Sequence, residues 1–459
     1  MVDMTLIVGS SAENRMTEYL TKVGDVLGNK RRRASFAVYA MGLMGDGERK
    51  SAEPIAMRAC ADPALVDAYH QRLTYFLSES EWSDAPVRRL AARYALEEMT
   101  KSERVSTWII DETAFTKQGT HSVGVQRQST ATGGRTANCQ IGVSLSVATR
   151  SEHLPVDFEL FLPHCWSDDP VRRSEAHIPD EIGFQTRPEL AMQMIRRALA
   201  DEVPVGVVLA EAAYGDSSAF RRELRAHALD YAVGVNAPTL VWRVDDSGER
   251  YAQPISVAEV GQAMRAQFRK VSWREGCERQ TRSRFASCRV RPVNPVAGSA
   301  DDEEVWLLME MPPRVTASFR FWFVTLPRHT TKEQLVHLVK ERHRTERVHE
   351  DLKSELGLDH FEGRTYRGWH HHVTVALACF AFTVAERVRH SSPQRRREEA
   401  DHTNASTIRA PFPRICNQPA TVLLLPHCDL VAQGPRRQRP NEPQPSRHGH
   451  SHHAPNSTQ

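Results

Sequence analysis

The order of elements between Val105 and Val235 constrains this chain more than any other feature. Residues 1–104 show no alternation of apolar with polar residues and read as helical. At Val105 the texture switches. Thr107-Trp108-Ile109-Ile110 is a β-rich run that ends in Asp111-Glu112, residues 137–149 form a long strand after a Gly133-Gly134 turn, and residues 154–162 alternate as a third strand. An amphipathic helix over 188–199 follows. Residues 205–209 are an unbroken apolar run, suited to a strand buried on both faces, and it ends in Ala210-Glu211. A helix over 217–228 and a strand over 231–235 complete the series. Three strands in succession suggest an antiparallel meander, and the whole order describes a mixed α/β sheet with helices packed on it. Acidic residues close the first and fourth strands, and strand ends line the edge where such sheets bind ligands.

Downstream, strand character returns at 240–244, 288–293, 305–310 and 319–325. Residues 265–291 carry nine basic residues, with Phe268, Trp273 and Phe285 interleaved. That mixture suits backbone contact with base stacking on Trp273, or an ordinary basic hairpin. Residues 331–356 read as one helix and 369–387 as a second. Beyond 391 the chain is rich in Pro, His and Ser and reads as disordered. Five segments result: a helical one (1–104), a mixed α/β one (105–235), a β-rich insertion (236–329), a pair of C-terminal helices (330–390) and a disordered tail (391–459).

Within the 331–356 helix, Arg342, Glu346 and Lys353 are four and then seven residues apart. At about 100° per residue they fall within about 40° of one another, so one stripe carries a guanidinium, a carboxylate and an ammonium. Such a face either binds a metal and phosphates or is a solvated helix with charge pairs. Net charge is only +3, so nucleic-acid affinity must come from local patches. Two are visible: the run Lys30, Arg31, Arg32, Arg33, and the helix started by Ser83-Asp84-Ala85-Pro86, which bears Arg88, Arg89 and Arg93. Short helices with Arg clusters suit DNA, and a bundle with a basic surface is the equal alternative. Eight cysteines without a CxxC pair exclude the usual zinc frameworks and point to reduced thiols in a cytoplasmic protein. His164-Cys165 and His370-His371-His372 lack a closing pair at ligand spacing. No apolar run approaches the length of a membrane span.

Asp111, an acidic residue at a second strand end and a helical Glu346 far downstream form a three-carboxylate constellation. It resembles the DDE superfamily of bacterial insertion-sequence transposases, whose catalytic domain is RNase H-like. The downstream helix resembles that superfamily's Y-x2-R-x3-E-x6-K signature: Arg342, Glu346 and Lys353 match, while Val339 stands at the Tyr position. The segments DETAFTKQGTHSVGVQRQ, VVLAEAAYGDSSAF and ELGLDHFEGRTYRGWHHH are similar to one subfamily, and the resemblance runs from about residue 35 to 390. One departure stands out. The subfamily reads ADAAYGD at the second strand end, so the carboxylate here is Glu211, with Asp216 five residues on as an alternative. The extra methylene displaces the carboxylate by about 1.5 Å, which implies a copy impaired in catalysis.

The resemblance implies two-metal phosphoryl transfer with two Mg2+ ions, for which Mn2+ can substitute. Asp111 would bridge them and Glu211 and Glu346 would complete the site. Arg342 and Lys353 would grip phosphates, with Lys30, Arg31, Arg32, Arg88, Arg89 and Trp273 as further DNA contacts. The implied partner is double-stranded DNA, as terminal inverted repeats and target, bound by a homodimer in the bacterial cytoplasm on the nucleoid, with no membrane. Two other functions remain open: a nuclease of the same fold, and a transposase-derived DNA-binding protein that no longer cuts.

Overall fold

The structure, a computed structural model, describes residues 4–129, 136–244, 253–273, 282–293, 303–312 and 318–390. The expected tail, the Gly133-Gly134 turn and residues 274–281 of the basic stretch lie outside them.

Five helices open the chain: α1 (Met4–Leu27), α2 (Lys30–Met44), α3 (Ala52–Ala59), α4 (Val66–Ser78) and α5 (Asp84–Met99). The strands β1 (Thr107–Thr116), β2 (Gln126–Ser129), β3 (Thr136–Ala148) and β4 (His153–Phe161) follow, then helices α6 (His164–Ser167), α7 (Pro170–Glu175) and α8 (Arg187–Ala200). Next come β5 (Val207–Ala210), α9 (Ala212–Gly215), α10 (Ser218–Ala226) and β6 (Tyr231–Val235). The stretch to residue 324 holds β7 (Leu240–Arg243), β8 (Ile255–Ser256), α11 (Val257–Ala263), β9 (Arg269–Ser272), β10 (Arg282–Pro292), β11 (Val305–Met311) and β12 (Arg320–Val324). Three helices close it: α12 (Lys332–Glu341), α13 (His343–Leu356) and α14 (Tyr366–His390).

The central strands run in the order β4-β3-β1-β5-β6. β3 runs antiparallel to both β4 and β1, and β5 and β6 continue parallel to β1. This is the mixed α/β arrangement that the element order implies, and it matches the RNase H-like fold that the resemblance implies: the meander pairs its own neighbours, and the parallel strands need the crossover helices α8 and α10. The expected β-rich insertion is no separate layer. β12 pairs antiparallel with β6, and β11, β10, β7 and β8 extend the same sheet outward. Sequence shows that these segments are strands but not which edge they join.

Apolar residues on the two faces meet different helices. Ile109, Leu209 and Val324 pack with Leu335, Val336 and Val339 of α12. Val143, Leu145 and Val233 belong to a larger core that takes in the N-terminal helices and α14. That core removes residue 104 as a packing boundary. α14 is buried along most of its length, and its Ala378 carbonyl accepts from Tyr19 Oη of α1 at 2.8 Å. Arg15 pairs with Glu386 at 2.5 Å, and Arg389 with Glu98 of α5 at 2.8 Å.

The helix expected over 331–356 is two helices that meet at Arg342. Val339 and Val348 are nine residues apart, which turns the apolar stripe by about 180° at 100° per residue. A single straight helix packed by one face could not bury both, and α12 and α13 accordingly enter different cores. Capping fixes their ends: Thr331 and Gln334 form a capping box at the start of α12, and Gly357, at φ 61°, closes α13 in the left-handed region that favours glycine. No helix among the described residues is long and apolar enough to cross a membrane.

Candidate active site

Pairing of β1 with β5 covers Thr107 to Ile109 only, whereas pairing with β3 runs on to Thr116. Asp111 therefore lies inside β1 rather than at its end, yet just past the point where β5 stops. Glu211 is the residue that follows β5 and N-caps α9. The turn there is tight: a Cβ on Gly215 would collide with the Gly234 carbonyl, which accounts for glycine after Tyr214. Glu346 stands in the first turn of α13.

One guanidinium joins all three. Arg342 Nη1 donates to Asp111 Oδ1 at 2.8 Å, and Nη2 lies 2.5 Å from Glu211 Oε1 and 3.5 Å from Glu346 Oε1. The Asp111 side chain is 5% exposed, Glu211 40% and Glu346 52%, so the group opens outward from a buried floor. Burial pushes the Asp111 carboxyl up to about 7, with Arg342 pulling against it and the other two carboxylates adding to it. The hydrogen bond from His343, 3.3 Å away, and then the Arg342 charge hold the Glu346 carboxyl below its ordinary value.

Two buried contacts fix α13 over the sheet. Ser144, whose register partner is Asp111, shares a 3.0 Å hydrogen bond with His349 Nε2, and Thr345 Oγ1 lies 3.3 Å from His153 Nε2. Burial depresses the His349 imidazole to about 3, so it is neutral and adds no charge to the site. On the opposite face of β1, Glu112 accepts from Tyr214 Oη and Arg187 Nη1, each at 2.8 Å. This ties β1 to α9 and α8 directly behind the site. Sequence reasoning passed over Glu112. The signal was the Asp111-Glu112 pair itself, since adjacent strand residues point to opposite faces and the second acid needs a partner of its own.

Several expected contacts are placed elsewhere. Asp216 accepts from Asn236 N and Thr239 Oγ1, both at 3.0 Å, and from Asn236 Nδ2 at 2.5 Å; it braces the loop after β6 and is no substitute for Glu211. Lys353 turns to β1, donating to the Ala114 carbonyl at 2.8 Å beside the Phe115 ring, rather than facing a phosphate. Arg88 is buried against Asp84, Asp157 at 3.1 Å and Thr374, so it is withdrawn from any DNA surface. Trp273 is half-buried, with the Lys340 ammonium 4.7 Å over its ring and Phe285 packed edge-on, which leaves its near face unavailable for a base. Arg89 is half-exposed and pairs with Asp201 at 2.6 Å. Lys30 and Arg31 are exposed in the first turn of α2, while Arg32 is half-buried with its Nε 3.1 Å from Ser80 Oγ. Val339, at the signature's Tyr position, is a buried core residue of α12. The three consecutive histidines 370–372 are core residues, each with a hydrogen-bonding partner.

A family model described as "DDE superfamily endonuclease" matches residues 22–280, more than half of the chain. The chain belongs to the DDE superfamily endonucleases. A second model, "Transposase DDE domain", matches residues 187–382 and takes in the segment of Glu211, Arg342 and Glu346. A protein named "Probable transposase for insertion sequence element IS701", from Microchaete diplosiphon, is 26% identical over 204 residues, 44% of this chain and 49% of that protein. The chain thus spans about half the length of the curated relative it matches.

The family usually works with divalent metal, and the donor set here suits one: three carboxylates offer hard oxygen ligands of the kind Mg2+ and Mn2+ take. Their placement adds a condition. Among the described residues no three His, Cys, Asp or Glu side chains are gathered closely enough to hold an ion. Asp111, Glu211 and Glu346 are instead held by the guanidinium they share.

Proposed function

We propose that this chain is a DDE transposase that cleaves DNA strands at insertion-sequence ends and joins the freed 3′ ends to target DNA. The observation that carries the reading is the meeting of Asp111, Glu211 and Glu346, from three distant parts of the sequence, on one guanidinium where β5 ends beside β1 in an RNase H-like sheet. Family membership supports it, as does the name of the curated relative.

In this reading Asp111, Glu211 and Glu346 would hold two Mg2+ ions, with Mn2+ able to replace them. Bound ions would supply Lewis-acid activation of the attacking oxygen and charge neutralisation at the leaving 3′ oxygen. The chain's own residues set the geometry. The buried contacts of His349 with β3 and Thr345 with β4 keep α13 from sliding along the sheet, so Glu346 stays opposite Asp111. The planar fork of Arg342 matches a phosphate as well as a carboxylate. Lys30 and Arg31 offer exposed charge to double-stranded DNA, in terminal repeats and target, and a homodimer would bring two ends together.

Glu211 favours a second reading, a transposase-derived protein that binds DNA but cuts poorly or not at all. Glu346→Gln separates the two. Cleavage of a terminal-repeat duplex in Mg2+ should fall by roughly a hundredfold or more, the scale for losing a positioned catalytic group, with binding to the same duplex within about threefold of the parent because other phosphate contacts supply the affinity. Equal cleavage by parent and variant removes the assignment, and no cleavage by the parent selects the second reading.

A further inference from the structure

We infer that Arg342 is a stand-in cation, occupying the centre of the carboxylate group until a divalent ion displaces it, and that the displaced guanidinium is what then grips the DNA phosphate. The inference rests on the proposed function and adds an order of events to it. Three observations carry it.

The first is placement. Arg342 touches Asp111, Glu211 and Glu346 at once, the same three groups that would have to converge on an ion. An ion and a guanidinium cannot share that centre: both are cationic, and each needs the same oxygen atoms. The second is that no substitute cation takes these carboxylates among the described residues. Lys353, on the same helix, is committed to the Ala114 carbonyl, and the nearby His349 is buried and hydrogen-bonded to Ser144. Without Arg342 the three carboxylates would face one another, and among the described residues the ion pair left to any of them is that of His343 with Glu346. The third is the joint. Arg342 is the single residue between α12 and α13, which are anchored in different hydrophobic cores. Its side chain can leave the centre without disturbing the packing of either helix.

The linkage is reciprocal. An ion that binds only when the guanidinium leaves must bind more weakly because the guanidinium is there, and must raise the availability of that guanidinium for phosphate. The planar fork can exchange carboxylate oxygens for phosphate oxygens with little change in geometry.

The test is Mn2+ titration by isothermal titration calorimetry on the full chain without DNA, comparing the parent, Arg342→Gln and Arg342→Lys. Arg342→Gln should bind Mn2+ about tenfold more tightly or better, since it removes a unit charge a few ångströms from the ion. Arg342→Lys keeps the charge but loses the fork that spans three carboxylates, and should tighten binding by a smaller factor. Should Arg342→Gln fold poorly, Arg342→Lys alone decides, supported by a larger Mn2+-induced rise in melting temperature than the parent shows. Glu346→Gln in either background should abolish the tight phase, which locates the ion. Equal or weaker Mn2+ binding by both Arg342 variants overturns the stand-in role and leaves the proposed function intact. A tight phase that survives Glu346→Gln also overturns it. No Mn2+ binding by any of the proteins overturns both the stand-in role and the proposed function.

Discussion

Among the described residues, two clusters of three carboxylates that meet guanidinium groups are built in opposite ways. In one, Asp84 of α5 and Asp157 and Glu159 of β4 meet Arg88, Arg197 and His370. Arg197 lies 2.8 Å from Asp157 and 2.6 Å from Glu159, and His370 3.3 Å from Glu159. Acids and bases are matched three to three, and most of the side chains are buried between the sheet, α5, α8 and α14. In the other, Asp111, Glu211 and Glu346 share Arg342, and two of the three acids stand half-open to solvent. A balanced cluster seals an interior, because buried charge is tolerated only when paired. An unbalanced, open cluster retains a demand for positive charge, and that marks a site for ions and phosphates. The excess of carboxylates, more than their number, distinguishes the candidate active site.

The largest effect should come from unbalancing the sealed cluster. Arg88→Met leaves Asp84 and Asp157 without their shared partner, and the loss of stability should be about 3–5 kcal/mol, the range for breaking one side of a buried pair. Urea denaturation measures it. The salt dependence of DNA binding should not change, since Arg88 lies inside. A stable Arg88→Met protein with a shallower salt slope would return Arg88 to the DNA surface.

The clusters should also respond to pH with opposite signs. Burial raises Asp111 from 3.8 to about 7, so the folded chain keeps a proton that the unfolded chain has lost across that window. Stability contributed through Asp111 is present below about pH 4 and is lost as pH rises to about 7. Asp111→Asn removes this loss, and in metal-free buffer its stability relative to the parent should grow by a few kcal/mol over the window, at about 1.36 kcal/mol per pKa unit. Burial pushes Asp84 up as well, but Arg88 and His370 outweigh it and bring its carboxyl down to about 2. Its contribution is present above about pH 4 and is lost as pH falls toward 2, so Asp84→Asn should remove an acid-side loss. Parallel pH profiles for the two variants would abolish the distinction.

A smaller effect concerns Glu211. If the site is built for aspartate at this position, Glu211→Asp should raise cleavage severalfold in Mg2+, with Mn2+ narrowing the gap between the two proteins. The longer side chain now reaches Arg342 at 2.5 Å from the end of β5. Slower cleavage by Glu211→Asp would show a pocket fitted to glutamate.

Much of this comparison could be read from the sequence, and the failures have physical causes. The meander and the mixed sheet follow from strand periodicity and order: β3 and β4 differ from the expected bounds by a single residue at each end, and β6 not at all. Arg88 was misread because an arginine on a short helix looks exposed. Yet it shares a face with Ala91, Ala92 and Ala95, at offsets of three, four and seven, and all three are buried. Lys353 lies on the Arg342 stripe by angle, but the break at Arg342 and the rise along α13 carry it past the site to β1. The extension of the sheet through β12 had no local signal, because pairing partners are set by tertiary packing.

The most direct measurement is a crystal structure of the full chain soaked in Mn2+, read by anomalous scattering at the manganese edge. The account predicts a peak among Asp111, Glu211 and Glu346, with Arg342 turned out of the centre, and no peak at Asp84, Asp157 and Glu159. An empty open cluster with Arg342 still in place at millimolar Mn2+, or a peak in the sealed cluster, would contradict it.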